Sequence, residues 1–454
     1  MATEARDEEE LRGPEAADGG RAAGGVKILF ATLPAQGHFN PLTGVALHLL
    51  ASGHDVRWYA GPVYQPKVDA LGIPSLSYRW ATEITGENLN DLYPERGQLK
   101  GPKRISFDAE KFFVANVRNH YRDIAAIRDD FPFEVAFCDA ALYAAKLVAE
   151  KLEVPVFSFA VAPAPYVGVA GLPPPFFGLQ PATTIAGRLR ERVARTLGNS
   201  TMKRAVLRYN EVLEAEGLPA IPRDGLLRVP LECAERVFLV GSPGLEYPQL
   251  QLPSNAEFIG PLKPAKRDLP FSSPVPDGVL DPKSTVVVVS QGTVDNDDPG
   301  KLIVPTLTAL ADGPPVIVAT TGGKNTQELR TRFKSPNVVI EDFIDYDDLF
   351  PHADAFVTNG GFGSVLAGLR HGIPVVCAGT REGKNDDNAR IGYHRLGVDL
   401  RTERPSARQI RAALQKVLAD KQISGNVARI RTELEAYRPY EIIDKRLAEL
   451  AARA

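Results

Sequence analysis

The chain has 454 residues, long enough for two domains with separate cores, and 53 Lys and Arg against 56 Asp and Glu leave a formal net charge of −3. That near-neutral balance argues against a nucleic-acid partner, and no apolar run approaches membrane-spanning length. The cysteines Cys138, Cys233 and Cys377 are scattered without a CxxC pair. Neither a disulfide framework nor a thiolate metal site is expected, and a reducing cytoplasm fits.

Residues 1–24 are acidic, then rich in Ala and Gly, without the apolar core of a signal peptide; a disordered tail is expected. Residues 26–32 predict a first strand, and residues 42–50 an amphipathic helix stopped by Gly53. Between them stand Gln36-Gly37-His38-Phe39-Asn40-Pro41, where Asn40 suits an N-cap and Pro41 the first helical position. His38 is thereby expected in a tight loop at the carboxyl end of a parallel strand, where open α/β sheets place their ligands. It is either an active-site base or a surface histidine.

Strands follow at 54–60, at 135–139 leading into a helix over 140–152, and at 154–160, the rhythm of a doubly wound sheet. The aromatic-rich stretch 75–130 and the Pro/Gly/Phe run 162–181 break that rhythm, as pocket-shaping insertions or long loops. Residues 241–281, rich in proline, read as a linker. A second series then begins with the valine strand 286–289 and continues at 316–320, 338–340, 355–358 and 375–378, with a final helix over 441–453. The expected fold is α/β: an N-terminal domain (25–240) and a C-terminal domain (282–436), both Rossmann-like and doubly wound, facing across a cleft, with 437–454 returning to the first domain.

Two Gly-rich turns in the second half follow strands. Gly360, Gly361 and Gly363 let backbone approach a ligand, and Ser364 stands where free helical N–H groups and the helix dipole favour an anion. Gly292-Thr293 offers a second nest of donors, so the pair suits a diphosphate, the alternative being ordinary loop glycine. A dinucleotide dehydrogenase is disfavoured: the first turn is not GxGxxG and strand 55–59 carries no acid at its end for a ribose. No GxxxxGK[ST] phosphate loop occurs either.

The motif GHxxP after strand one, the Ser-Gln-Gly-Thr turn opening the second half, and the late Gly-Gly-Phe-Gly-Ser turn followed by Gly-Ile-Pro-Val-Val together resemble the family 1 glycosyltransferases of GT-B fold. The likeness is nearest to the bacterial macrolide-type, UDP-glycosyltransferase-like branch and covers about residues 26–453. It implies an inverting transferase that moves a hexose, glucose above all, from a UDP- or dTDP-sugar to a hydroxyl of an apolar small molecule, with no metal and no other cofactor. His38 matches the general base and Asp139 the acid that orients it; an alcohol needs a base near neutral pH, and imidazole titrates there. Asp139 alternatively caps the following helix. Thr293, Gly361, Gly363 and Ser364 match positions around the diphosphate, and Phe343-Ile344 the segment that holds the base, although Phe343 reads equally as core. Phe113, Tyr166, Phe176 and Phe177 are candidates for the acceptor pocket, or simply anchors of irregular segments.

The chain departs from the family at several points. Asn359 replaces a histidine and is expected as a neutral diphosphate donor, and Ala367 replaces a ribose-binding acid. The sugar-binding Asp-Gln pair is replaced around residues 381–386, where Glu382, Asn385 and Asp386 are candidates for sugar hydroxyls and Lys384 or Arg381 for charge near the phosphates. The other histidines read as structural, with His371 a favoured cation at a helix C-terminus. Two rivals stay open: a related GT-B enzyme such as an epimerase or lipid-acceptor transferase, and a non-catalytic binding protein.

Overall fold

A computed structural model describes residues 25–265, 279, 281, 283–292 and 296–453. The expected tail 1–24 and Thr293 lie outside the described residues. Among those described, the strands form two wholly parallel sheets. The first has β1 (Lys27–Ala31), β2 (Asp55–Tyr59), β3 (Ser75–Leu76), β4 (Val135–Asp139), β5 (Val156–Ala160), β6 (Arg236–Val240) and β7 (Ala256–Gly260), in the order β3-β2-β1-β4-β5-β6-β7. The second has β8 (Val286–Ser290), β9 (Val316–Thr320), β10 (Val338–Glu341), β11 (Ala355–Thr358), β12 (Val375–Cys377) and β13 (Gly397–Asp399), in the order β10-β9-β8-β11-β12-β13.

Parallel strands are covered by helices on both faces, so their sequences read as continuous apolar runs. Thus β4, β5 and β8 are buried at every residue, and the β-branched valines of β8 suit that environment. β7 arises within the stretch 241–281 read as a linker: its alternation of small and apolar residues pairs with β6, so the passage between sheets falls after Gly260. Neither β7 nor β13, each only a few residues long, had a sequence signal strong enough to separate it from loop.

Six helices matter below: α1 (Gln36–Ala51), α2 (Val117–Asp130), α3 (Ile185–Ala215), α4 (Phe362–Arg370), α5 (Lys384–Tyr393) and α6 (Pro439–Ala451). α6 packs back on the first domain: His48 of α1 stacks on Tyr440 at 4.7 Å and contacts Asp444 at 2.8 Å, while Arg446 meets Glu257 at 2.9 Å. The helix expected over 140–152 is confined to Ala145–Lys151, after a turn. α3, with 31 residues, was hidden by its low amphipathic contrast.

Candidate active site

In each sheet the chain order reverses between two adjacent central strands, β1 and β4 in the first and β8 and β11 in the second. The crevice beyond the carboxyl ends of such a pair is where open α/β sheets bind ligands, because diverging connections leave it uncovered.

At the first crevice α1 begins at Gln36, not at Pro41. Asn40 is therefore no N-cap, Pro41 lies within the helix, and His38 stands in the first helical turn instead of a loop. Pro41 has no N–H for the Gly37 carbonyl, so the helix forgoes that one i→i−4 bond. Asp139 ends β4, whose register sets Cys138 beside Ala31 of β1. The two strand ends thus bring His38 and Asp139 together: Nδ1 lies 2.9 Å from the Asp139 Oδ2, with the imidazole 27 % exposed and the carboxylate 2 %. The other Asp139 oxygen accepts from the Ala141 N–H at 3.0 Å, the capping role weighed as its alternative, so the residue does both.

With Nδ1 turned to the carboxylate, Nε2 is the nitrogen left to face a substrate. Burial pulls the His38 pKa down, and the adjacent Asp139 charge and contact outweigh it, leaving the imidazole above its ordinary 6.5. A base must be neutral to accept a proton, so activity is expected to fall as pH drops through a value above 6.5. In Asp139→Asn the raising influence is gone and the acidic limb of kcat/KM shifts to lower pH. Rate profiles of the two proteins check this.

At the second crevice the Gly292 turn follows β8 and Asn359-Gly360-Gly361 follows β11. Gly361 is the N-cap of α4, and a Cβ on Gly363 would meet open space, so the first-turn N–H groups of α4, with Ser364, are accessible to an anion. Asn359, expected as a neutral diphosphate donor, is also engaged within the protein. Its amide donates to the Gln291 carbonyl and accepts from the Gly361 N–H at 3.3 Å, tying the two turns to each other. Gly360 has φ +83°, and a Cβ there would come within 1.8 Å of the Asn388 Oδ1. Gly360→Ala is accordingly expected to displace the turn and weaken anion binding there at least about tenfold, as calorimetry with a nucleoside diphosphate would measure.

Ile344 is buried in the core, whereas Phe343 is half-buried beside Gly323. Lys384 runs alongside Gly379 next to Asn359, and its Nζ pairs with Glu382 at 2.8 Å. Ala367 packs against the core beneath α4. Asn385 and Asp386 are turned elsewhere. Asp386 accepts from the Tyr166 hydroxyl at 2.6 Å and from the Phe176 and Gly178 N–H groups, while Asn385 donates to the Phe176 carbonyl at 2.9 Å. These two residues therefore stitch α5 to the 163–180 segment of the first domain.

The aromatic candidates separate into two groups. Tyr166 and Phe176 meet edge to face at 5.0 Å on this seam, while Phe177 lies under α3 at Gly198 and Phe113 sits in a π-helical turn against α3. Sequence reading missed the Glu246–Arg390 pair deep in the seam. Arg390 donates to the Glu246 carboxylate at 2.7 and 2.9 Å, both side chains are nearly inaccessible, and Glu246 also accepts from the Ala164 N–H. It also missed buried Tyr59, whose hydroxyl donates to Asp123 of α2 at 2.7 Å beside His120. Nothing in the local sequence marks either, since partners 61 to 144 residues apart leave no periodic trace. His371 departs from its expected cationic role: burial, then Arg370, Lys263 and Arg431, press its pKa down to about 4 and keep it neutral.

Two doubly wound domains, each with its switch point, joined across a seam and closed by a returning C-terminal helix, are the GT-B architecture of glycosyltransferases. The solved structure of CalG4, the calicheamicin glycosyltransferase, shares it with a TM-score of 0.71 at 18 % identity, covering 95 % of this chain and 99 % of that one. The family described as UDP-glucoronosyl and UDP-glucosyl transferase matches residues 117–448. The chain is 34 % identical over 419 residues to 4'-demethylrebeccamycin synthase of Lentzea aerocolonigenes, covering 91 % of this chain and 96 % of the relative. It is 27 % identical over 444 residues to UDP-glycosyltransferase 2 of Phaeomoniella chlamydospora, covering 94 % and 96 %. The chain belongs to this family and is a glycosyltransferase.

Proposed function

We propose that the protein transfers a hexose, glucose first among them, from a UDP- or dTDP-sugar to a hydroxyl of an apolar small molecule, with inversion at the anomeric carbon. The observation that carries this reading is the 2.9 Å His38–Asp139 pair at the first switch point. Nε2 of His38 takes the acceptor hydroxyl proton as that oxygen bonds to the anomeric carbon. The bond from that carbon to the diphosphate oxygen breaks, and the nucleoside diphosphate leaves with the electron pair. One displacement from the opposite face turns an α-linked donor into a β-glycoside. The protonated imidazole is stabilised by Asp139, in the manner of a triad without its nucleophile.

The leaving diphosphate suits the N-terminus of α4, with the Gly292 turn and Lys384 adjacent. Phe343 beside Gly323 suits the base. Glu382, exposed and in a left-handed conformation at φ +56°, remains the sugar-hydroxyl candidate of the 382–386 turn. The scheme calls for no resident metal or cofactor. Relatives named as UDP-glycosyltransferase and as 4'-demethylrebeccamycin synthase support a nucleotide-sugar donor and a small-molecule acceptor. Among the described residues no helix is long and apolar enough to cross a membrane.

Release of free UDP or dTDP from a panel of nucleotide sugars, with phenolic and macrolide acceptors, tests the proposal. Acceptor-dependent release lost in His38→Ala is the expected result. Release without acceptor, or release indifferent to His38, would overturn it.

A further inference from the structure

The outer face of α3 is unlike the rest of the surface. Ile185, Leu189, Val193, Leu197 and Leu207 are each between 51 % and 79 % exposed. At about 100° per residue the first four form an i, i+4 row in one sector, about 120° wide, opposite the buried Ala194, Met202, Ala205 and Tyr209, and Leu207 lies further along that sector beyond Ser200, Lys203 and Arg204. An apolar stripe on the solvent side of a helix is the inverse of what packing on a core requires.

Charge is equally one-sided. Over the whole of α3 six arginines and Lys203 stand against Glu191, Glu211 and Glu214. Its first half, which carries Arg188, Arg190, Arg192 and Arg195 against Glu191, is basic in a chain whose overall charge is −3. Arg188 and Arg192 border the stripe on one side and Arg190 on the other, all exposed; the ion pairs of this helix involve Arg204 and Arg208 further along. Glu191 is itself turned inward to the Ala182 N–H. Apolar side chains flanked by arginines fit the boundary of a bilayer, where the stripe enters the acyl region and the guanidinium groups meet lipid phosphates.

We propose that this face of α3 docks the protein on an anionic membrane surface. Complementarity of the arginine borders to lipid phosphate selects this occupant. A docked α3 lies directly over Phe177, whose ring is 3.4 Å from the Cβ position of Gly198, so the first domain's irregular segments face the layer in which an apolar molecule concentrates.

The test is co-sedimentation of the full chain with vesicles of phosphatidylcholine alone and of phosphatidylcholine with phosphatidylglycerol in equal amounts. Three proteins are compared: wild type, Leu189→Glu/Val193→Glu, and Arg188→Gln/Arg190→Gln/Arg192→Gln. Thermal unfolding like that of wild type is required of both variants, and the solvent position of every changed side chain makes it the expected result. The proposal expects partition onto the phosphatidylglycerol vesicles, weakened by salt and at least about tenfold weaker in each variant. Partition without preference for phosphatidylglycerol, or unchanged in the variants, overturns it. So does absence of partition accompanied by a wild-type dimer that Leu189→Glu/Val193→Glu dissociates, because the stripe is then a contact between copies.

Discussion

Substituting His38 by alanine is expected to lower kcat by about two to four orders of magnitude, the usual contribution of a positioned general base. The nucleotide Kd should stay near that of wild type. The separation follows from the fold: His38 belongs to the β1–β4 crevice, whereas the glycine turns belong to the β8–β11 crevice of the other sheet. Steady-state kinetics and calorimetry with UDP check the two halves independently. A KM effect without a kcat effect would assign His38 to binding instead of proton transfer.

The largest effect on stability is expected at Arg390. Arg390→Met removes one partner of a nearly inaccessible ion pair and leaves the Glu246 carboxylate with only the Ala164 N–H. Breaking a buried pair from one side costs about 3–5 kcal/mol, because the remaining charge has lost both its partner and its water. Arg390 also donates to the Asp386 carbonyl and lies 4.8 Å from the centre of the Tyr247 ring, so its loss loosens the seam as well as the pair. Glu246→Leu/Arg390→Met is expected to regain much of that loss, since an apolar couple needs no compensation. Thermal unfolding of the single and double variants distinguishes an uncompensated charge from simple loss of packing.

Much of the site was legible before any coordinates. A compact strand followed by Gly-His-x-x-Pro, an aspartate ending a second apolar strand, and a glycine turn opening a helix are local patterns; that the first two act as a pair was implied by the family resemblance, since His38 and Asp139 lie far apart in the chain. Strand ends were mostly readable for the same reason, since burial on both faces writes continuous apolar runs into the sequence. Where α1 begins was not readable, because Asn40-Pro41 is a good helix start that the structure overrides, with the helix drawn back to Gln36 and His38 brought onto its first turn.

The protein partners of Asn359, Asn385 and Asp386 were not readable for a related reason. Each is a small polar residue in a turn expected to face a ligand, and a polar side chain takes whichever partner its burial brings nearest. For Asn359 that partner is the backbone of its sister turn, and for Asp386 it is a segment more than two hundred residues earlier. By itself the sequence determined the α/β class, the two successive domains and the placement of His38, Asp139 and the glycine turns at strand ends, because periodicity, glycine and capping act over short range; the pairing of His38 with Asp139 was an expectation from the family resemblance. Only the tertiary structure decided the strand order that juxtaposes His38 with Asp139, the Glu246–Arg390 seam, and which face of α3 is left to solvent, because those depend on contacts between distant segments.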